Sequence, residues 1–270
     1  MRKTHSGQKF KFEIPLIFRL IEDIKKETIG KNELKIKHGL GDNKIDSFVE
    51  YMQKIDAVIK ISANKYELTN FGEAILKLKD TPSFYEPLIL HKLSRSDEDG
   101  GHLFFSILMN DILHDIAFKI DNVISKTDIK KIFEMRYSDL NLSDKNSLFL
   151  QALNGGLADK YTGFGKMGIV VAKSGQYEVT GFIPDRLITA YVLYDNWPKD
   201  RTAIKRDDLY TMPYFPARLF FMVPRLFEEQ INHLVDERIL YYEREGGLNQ
   251  ITLAPNLSPD KILDRIIENA

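Results

Sequence analysis

Between Lys35 and Lys65 the sequence contains basic and polar residues of the types that contact DNA. Proteins use such side chains to bind phosphates and to read the edges of bases. Some of them recur at i, i+3, i+7 and i+10, which is one face of a helix: Lys44, Ser47, Tyr51 and Lys54. The full set predicted to contact DNA is Lys35, Lys37, Asn43, Lys44, Ser47, Tyr51, Lys54, Lys60, Asn64 and Lys65.

Acidic residues in the same stretch weaken this prediction. From Lys31 to Lys65 the sequence has 7 basic and 5 acidic residues, an excess of only two positive charges. Binding that depends on so small an excess would be weak and strongly dependent on salt, because affinity comes from neutralising phosphates. Contact with DNA and docking of a partner protein are therefore both left open by these residues.

Carboxylates suited to metal-dependent cleavage of DNA occur only as short matches. Two-metal hydrolysis would need carboxylates followed by a D/E-x-K pattern on a strand. Asp23-Ile-Lys25 and Asp128-Ile-Lys130 match in letters but lie on predicted helices, and Asp42-Asn-Lys44 lies in a predicted turn. The sequence therefore identifies no catalytic residues.

The six histidines show no spacing typical of a metal site. Asp111, His114 and Asp115 share one face of a predicted helix, which we interpret as a solvated face rather than a catalytic group. His91 lies on an apolar helix and is interpreted as a packing histidine. No metal ligands are predicted.

A literal G-x-G-x-x-G pattern is formed by Gly163, Gly165 and Gly168. In a dinucleotide-binding fold this pattern must follow a strand and begin a helix. Here it follows a predicted helix and leads into an apolar strand, so we interpret it as a turn. Its neighbours Tyr161 and Lys166 could still touch a nucleic-acid backbone.

The candidate DNA-binding residues are positioned by a module that spans Gly39 to Gly72. A glycine-rich turn precedes a helix whose apolar stripe is Ile45, Phe48, Val49, Met52 and Ile55. Two short alternating segments then predict a β-hairpin, and Thr69 is suited to cap the next helix. Helix, hairpin and helix follow one another as in a winged helix-turn-helix.

The order of helices followed by a hairpin recurs twice more, without any repeat in sequence. We therefore predict a mainly α fold with short β-hairpins, in which an N-terminal winged helix-turn-helix precedes helical, winged-helix-like middle and C-terminal parts. The predicted domains are a winged-helix domain (1–80), a helical domain with a β-hairpin (81–200) and a C-terminal winged-helix-like domain (201–270).

Composition limits the classes of protein to be considered. The chain has 270 residues, 43% apolar residues, a net charge of −1 and no cysteine. Disulfides, thiolate zinc sites and a cysteine nucleophile are thereby excluded. No run approaches the ~18 apolar residues of a membrane span, so we expect a cytoplasmic protein without a membrane partner.

Three motifs resemble a bacterial family of unknown-function domains from DNA phosphorothioation and phage-defence loci, the SspB-type component. They are HGLGDNKIDSFVEYM (His38–Met52), YELTNFGEAIL (Tyr66–Leu76) and LILHKLS (Leu88–Ser94). The family often carries a Trp in the helix after the glycine tract, where this chain has Tyr51. Its members occur beside an ATP-pyrophosphatase-like sulfur-transfer enzyme.

The resemblance implies a DNA-binding subunit of a modification complex, with DNA and an ATP-pyrophosphatase-like or ATPase subunit as partners. It also implies that the chain could nick a DNA strand, in which case Mg²⁺ or Mn²⁺ is the expected cofactor. A non-catalytic scaffold of the same complex is the first alternative. A winged-helix transcriptional regulator is the second, weakened by the lack of an evident ligand domain.

Overall fold

A computed structural model describes residues 10–27, 29–62, 65–96, 98–117, 122–140, 145–243 and 249–270. Over these residues the protein is mainly helical, with small antiparallel sheets of two or three strands. The coarse fold prediction is confirmed. No helix within the described ranges is long and apolar enough to cross a membrane.

The first part of the chain places the predicted DNA-binding residues on two helices and a hairpin. Its elements are α1 (Ile14–Lys26), α2 (Lys31–His38), α3 (Asp42–Lys54), β1 (Val58–Ser62), β2 (Lys65–Leu68), α4 (Asn70–Lys77) and α5 (Pro82–Ser94). Gly39 ends α2 with φ +60, a left-handed conformation that glycine adopts without strain. The Thr69 hydroxyl accepts a hydrogen bond from the Gly72 N–H and caps α4, as the sequence predicts.

The middle part contains a three-stranded sheet with β5 at its centre. Its elements are α6 (Leu103–Ile107), a π-helical turn (Leu108–Ile112), α7 (Leu113–Ala117), β3 (Val123–Ser125), α8 (Lys126–Arg136), α9 (Lys145–Gln151), a second π-helical turn (Ala152–Leu157), β4 (Val170–Lys173) and β5 (Gln176–Val179). The strand order is β3-β5-β4, and both pairings are antiparallel.

The C-terminal part repeats this topology with the strand order β6-β8-β7. Its elements are α10 (Arg186–Asn196), β6 (Ala203–Lys205), α11 (Arg206–Thr211), α12 (Pro216–Leu219), α13 (Pro224–Asp236), β7 (Leu240–Glu243), β8 (Gln250–Leu253) and α14 (Pro259–Asn269). The segment 207–216 carries most of α11 and the start of α12. Asp208 and the buried Leu209 thus belong to a helix.

The first part shows a trace of the same three-stranded arrangement. The Tyr66 N–H donates to the Ile29 carbonyl over 3.3 Å, so residue 29 lies beside β2 where the other two sheets have a third strand. All three parts therefore share the order helix, strand or strand-like residue, helices, hairpin, and the C-terminal part has one additional short helix, α12, before α13.

The helices α3 and α13 correspond position by position. Each has 13 residues and ends two residues before a non-glycine residue with φ +56, Asp56 or Arg238. In both cases a cation that begins an earlier helix pairs with the fifth residue of the 13-residue helix: Lys31 begins α2, directly before α3, and Arg206 begins α11, which α12 separates from α13. Lys31 contacts Asp46 over 2.5 Å, and Arg206 donates to Glu228 over 2.6 Å.

One continuous cluster of buried apolar side chains runs through all three parts of the described chain. Each of the three sheets lies inside one of the predicted domains. The domain boundaries at 80/81 and 200/201 stay a prediction.

Candidate nucleic-acid interface

The predicted DNA-binding residues lie on α2, α3 and the hairpin of β1 and β2, which pack against one another. Asn64 lies outside the described residues. For the remaining residues, contact with DNA stays a prediction. These residues differ in their solvent exposure and in whether a carboxylate forms an ion pair with them.

Three of the lysines are neutralised by carboxylates. The ammonium of Lys35 lies 2.5 Å from Asp42, and that of Lys37 lies 2.9 Å from Asp23. Lys44 lies 3.1 Å from Glu13. A paired lysine adds little attraction for phosphate, because its carboxylate partner repels the same phosphate.

Ser47 and Tyr51 do not lie on an exposed face, so this part of the sequence-based interpretation is wrong. Ser47 is 1% exposed, and its hydroxyl donates to the Asn43 carbonyl. Tyr51 is 5% exposed, and its hydroxyl donates to the Phe10 carbonyl over 2.8 Å. The cause is a tertiary contact that helical periodicity does not report.

That contact is an aromatic cluster between the first and middle parts. The ring of Phe12 meets Tyr51 edge-on at 5.1 Å and stacks on Phe164 at 5.3 Å. The ring of His102 stacks on Tyr51 at 5.4 Å. The side of α3 on which the sequence predicts base contacts is therefore covered by residues of the same chain.

The solvent side of α3 is more acidic than basic. Asn43 and Gln53 are exposed, and Asp46 and Glu50 lie partly exposed between them. Lys54 ends the helix in a half-buried position, where its carbonyl accepts a hydrogen bond from Arg95. This face is a poor match for the negative surface of a DNA groove.

The hairpin carries the cations best placed for a ligand. Lys60 on β1 and Lys65 on β2 are both exposed. Neither forms an ion pair with any of the described residues. Of the described residues in the predicted set, these two therefore combine full charge with exposure.

The LILHKLS motif forms a buried ionic network between the first and C-terminal parts. His91 Nε2 and Lys92 Nζ of α5 each lie 2.7 Å from one carboxylate oxygen of Asp195 on α10. Lys92 also lies 3.4 Å from Asp56, which pairs with Arg95 over 2.8 Å. The network joins the end of α3 to α5 and α10.

Burial decides the protonation of His91 in this network, and hydrogen bonding decides that of Asp195. Burial lowers the pKa of His91, which is 1% exposed, so the imidazole is neutral near pH 7. A carboxylate only accepts hydrogen bonds, so Nε2 carries the imidazole proton. Burial alone would raise the pKa of Asp195, but hydrogen bonds from His91 and Lys92 lower it well below its usual range. His91 is thus a packing histidine, as the sequence predicts.

The group of Asp111, His114 and Asp115 is organised around an arginine. Arg136 of α8 forms an ion pair with both carboxylates, and the Tyr137 hydroxyl donates to Asp111 over 2.7 Å. Burial lowers the pKa of His114. The two carboxylates therefore attach α8 to α7 and to the π-helical turn before it.

Among the described residues, no group of three or more histidine, aspartate or glutamate side chains is arranged to hold a metal ion. The D-x-K matches at Asp23 and Asp128 lie on α1 and α8, as the sequence predicts. Asp42 lies at the start of α3 rather than in a turn, and its carboxylate pairs with Lys35.

Glu86 is a buried carboxyl group that the sequence does not reveal. It lies on α5 with 5% of its surface exposed. Burial raises the pKa of Glu86 to about 7, although the positive charge of Lys166 acts in the opposite direction. Ionising this group as the pH rises therefore costs stability.

We expect Glu86→Gln to raise the free energy of unfolding by about 2 kcal/mol near pH 8.5 and to change it little near pH 5. The folded-state pKa lies above the ordinary 4.5, so this contribution is fully present below pH 4.5 and is lost as the pH rises through about 7. Urea unfolding at several pH values measures it, with the exposed Glu67→Gln as control. Equal pH profiles for Glu86→Gln and wild type would contradict the assignment.

Comparisons with known proteins bear on the fold. No protein-family model matches this sequence, and neither does any curated protein. A crystal structure of SspB matches with a TM-score of 0.70 and 12% identity, covering 100% of this chain and 89% of that one. A magnesium ion-bound SspB crystal structure matches with a TM-score of 0.71 and 10% identity, covering 100% and 88%. At such low identity the likeness establishes that the fold is shared.

Proposed function

We propose that this chain is the DNA-binding component of a DNA phosphorothioation and anti-phage modification complex. The three sequence motifs that resemble the SspB-type family support this proposal, and so does the fold shared with SspB. The structural observation that best supports contact with DNA is a pair of exposed cations, Lys60 and Lys65. Neither has an ion-pair partner in the described chain.

Each of the three parts is, in this proposal, a winged-helix unit. The shared order of helix, strand or strand-like residue, helices and hairpin supports it, and so do the strand orders β3-β5-β4 and β6-β8-β7. In the first unit the hairpin is the wing, and it contacts the phosphate backbone. The helix α3 packs mainly against the protein, in contrast to a helix that enters the major groove.

The partners in this proposal are DNA and an ATP-pyrophosphatase-like or ATPase subunit. Strand nicking with Mg²⁺ or Mn²⁺ rests on the family resemblance alone, and no described residues are assigned to it. Incubating the protein with supercoiled plasmid, with and without each ion, tests it. Metal-dependent conversion to open circles would support nicking, and unchanged plasmid would leave a subunit that positions DNA.

We expect Lys60→Glu combined with Lys65→Glu to weaken binding of a DNA duplex by about tenfold or more at ~0.1 M salt. The slope of log affinity against log salt should become shallower by about two, because two phosphate contacts are lost. Fluorescence anisotropy with a labelled duplex measures both quantities.

The matched control reverses two lysines on another surface, Lys77→Glu combined with Lys261→Glu. Lys77 is the last residue of α4, and Lys261 lies on α14, which packs against α4. The groove between these helices also contains Glu73, Asp260 and Asp264. Equal losses of affinity in the two double variants would contradict a specific contact by the hairpin.

A scaffold that docks a partner protein is the second candidate, and one observation favours it. Ile59 and Ile61 on β1 are 51% and 49% exposed. β1 pairs with β2 alone among the described strands, so its other edge is open to a partner strand. An exposed apolar patch over Phe215–Val223 or at Tyr241 and Tyr242 would also favour docking. Phe215 and residues 220–222 are buried, whereas Val223 and Tyr241 are 48% and 43% exposed. If Lys60→Glu combined with Lys65→Glu binds DNA as tightly as wild type, the scaffold becomes the better supported function.

A further inference from the structure

The middle part contains an extra segment where the other two parts have a short link. In the first part three residues, 55–57, separate α3 from β1, and in the third part residues 237–239 separate α13 from β7. In the middle part residues 158–169 separate the helical segment that ends at Leu157 from β4. The same strand order forms without the extra residues, so closure of the sheet does not require this loop.

The loop is held in one conformation by Asp159. Its carboxylate accepts hydrogen bonds from the backbone N–H groups of Tyr161 and Thr162 over 2.8 and 3.0 Å, and it pairs with Lys11 over 3.1 Å. The Asp159 carbonyl accepts hydrogen bonds from the N–H groups of Gly163 and Gly165. The loop is thus preorganised, which lowers the entropic cost of binding a ligand.

The glycines of the G-x-G-x-x-G pattern allow the loop to pack closely. A Cβ atom on Gly163 would lie 2.1 Å from the Gly156 carbonyl oxygen, and one on Gly165 would lie 2.6 Å from that of Ala158. Between these glycines Phe164 is buried and stacks on Phe12. The glycines of this pattern therefore allow close packing of the loop, which agrees with the interpretation of the pattern as a turn.

The tip of this rigid loop presents an aromatic ring to solvent. Tyr161 is 90% exposed, more than any other large apolar or aromatic side chain among the described residues. Lys160 and Lys166 are exposed on the same loop, and neither forms a salt bridge within the described ranges. The carboxyl group on which the positive charge of Lys166 acts is that of Glu86, and burial raises the pKa of Glu86 to about 7.

We propose that the loop 158–168 is a binding element for single-stranded nucleic acid, in which an unpaired base stacks on Tyr161 and Lys160 and Lys166 contact the flanking phosphates. An aromatic face beside cations is the combination that binds single strands without reading sequence. A duplex keeps its bases stacked on each other and offers no face to the ring. The proposal rests on the proposed DNA-binding function and adds a second site with its own substrate class.

The test measures the affinity of the full chain for a labelled oligothymidine of about 12 nucleotides and for a labelled duplex. We expect Tyr161→Ala to weaken oligothymidine binding by about tenfold and to leave duplex binding within about twofold. Tyr161→Trp should restore the affinity, because it restores a stacking surface. Lys160→Ala combined with Lys166→Ala should make the salt dependence shallower.

Tyr241→Ala is the matched control, since Tyr241 is a 43% exposed tyrosine on β7 in the C-terminal part. Oligothymidine affinity that is equal in wild type and Tyr161→Ala, with duplex binding intact, would overturn this inference alone. Failure of the wild type to bind either nucleic acid would overturn both this inference and the proposed function.

Discussion

Replacing Asp195 by alanine is expected to lower the free energy of unfolding by about 3 kcal/mol, because the buried Lys92 loses its closest counter-ion. Lys92 Nζ lies 2.7 Å from Asp195, with only 5% of the lysine side chain exposed. Its other carboxylate, Asp56, is more distant at 3.4 Å and is already paired with Arg95. Urea unfolding near pH 7 measures the loss.

The same pair predicts how stability depends on acid. The pKa of Asp195 is lowered in the folded state, so its contribution is present above the ordinary carboxyl pKa of 3.8 and is lost as the pH falls below it. The acid-induced part of this loss should be absent from Asp195→Ala. Asp236→Ala, at the exposed end of α13, is the control. A loss below about 1 kcal/mol for Asp195→Ala would mean that the network is not tightly coupled.

Replacing Tyr51 by alanine is expected to cost about 3–5 kcal/mol, the range for removing a large buried aromatic ring. The ring packs against Phe12, Phe48 and His102. Tyr51→Phe should cost only about 1 kcal/mol, because it removes the hydrogen bond to the Phe10 carbonyl and keeps the ring. Both values come from urea unfolding.

The phenylalanine variant separates packing from DNA recognition. If Tyr51 only packs, Tyr51→Phe should bind a DNA duplex as wild type does. A tenfold loss of affinity with near-native stability would instead show that the Tyr51 hydroxyl reaches DNA, and would restore the recognition-helix interpretation.

Local sequence patterns predict the secondary-structure elements well. The stripe of Ile45, Phe48, Val49 and Met52 is buried, since an amphipathic helix must turn its apolar side to the core. The cap at Thr69 also forms as predicted, because a cap involves residues within one turn of each other.

Long-range contacts explain what the sequence did not reveal. Tyr51 borders the apolar stripe of α3. It is buried because Phe12 and His102 pack against its ring. The partner of His91 lies 104 residues away at Asp195. The neutralisation of Lys44 by Glu13 spans 31 residues. Counting residues gives the net charge from Lys31 to Lys65. Long-range ion pairs determine which of these cations keep their full charge.

The most direct test of the central claim is a gel-shift series of the wild-type chain on a DNA duplex at rising salt. The account predicts a shift at about 50 mM salt, with an affinity that falls with about the second power of the salt concentration, as expected when Lys60 and Lys65 contact phosphates. Absence of any shift at low salt, or a shift that does not respond to salt, would contradict it.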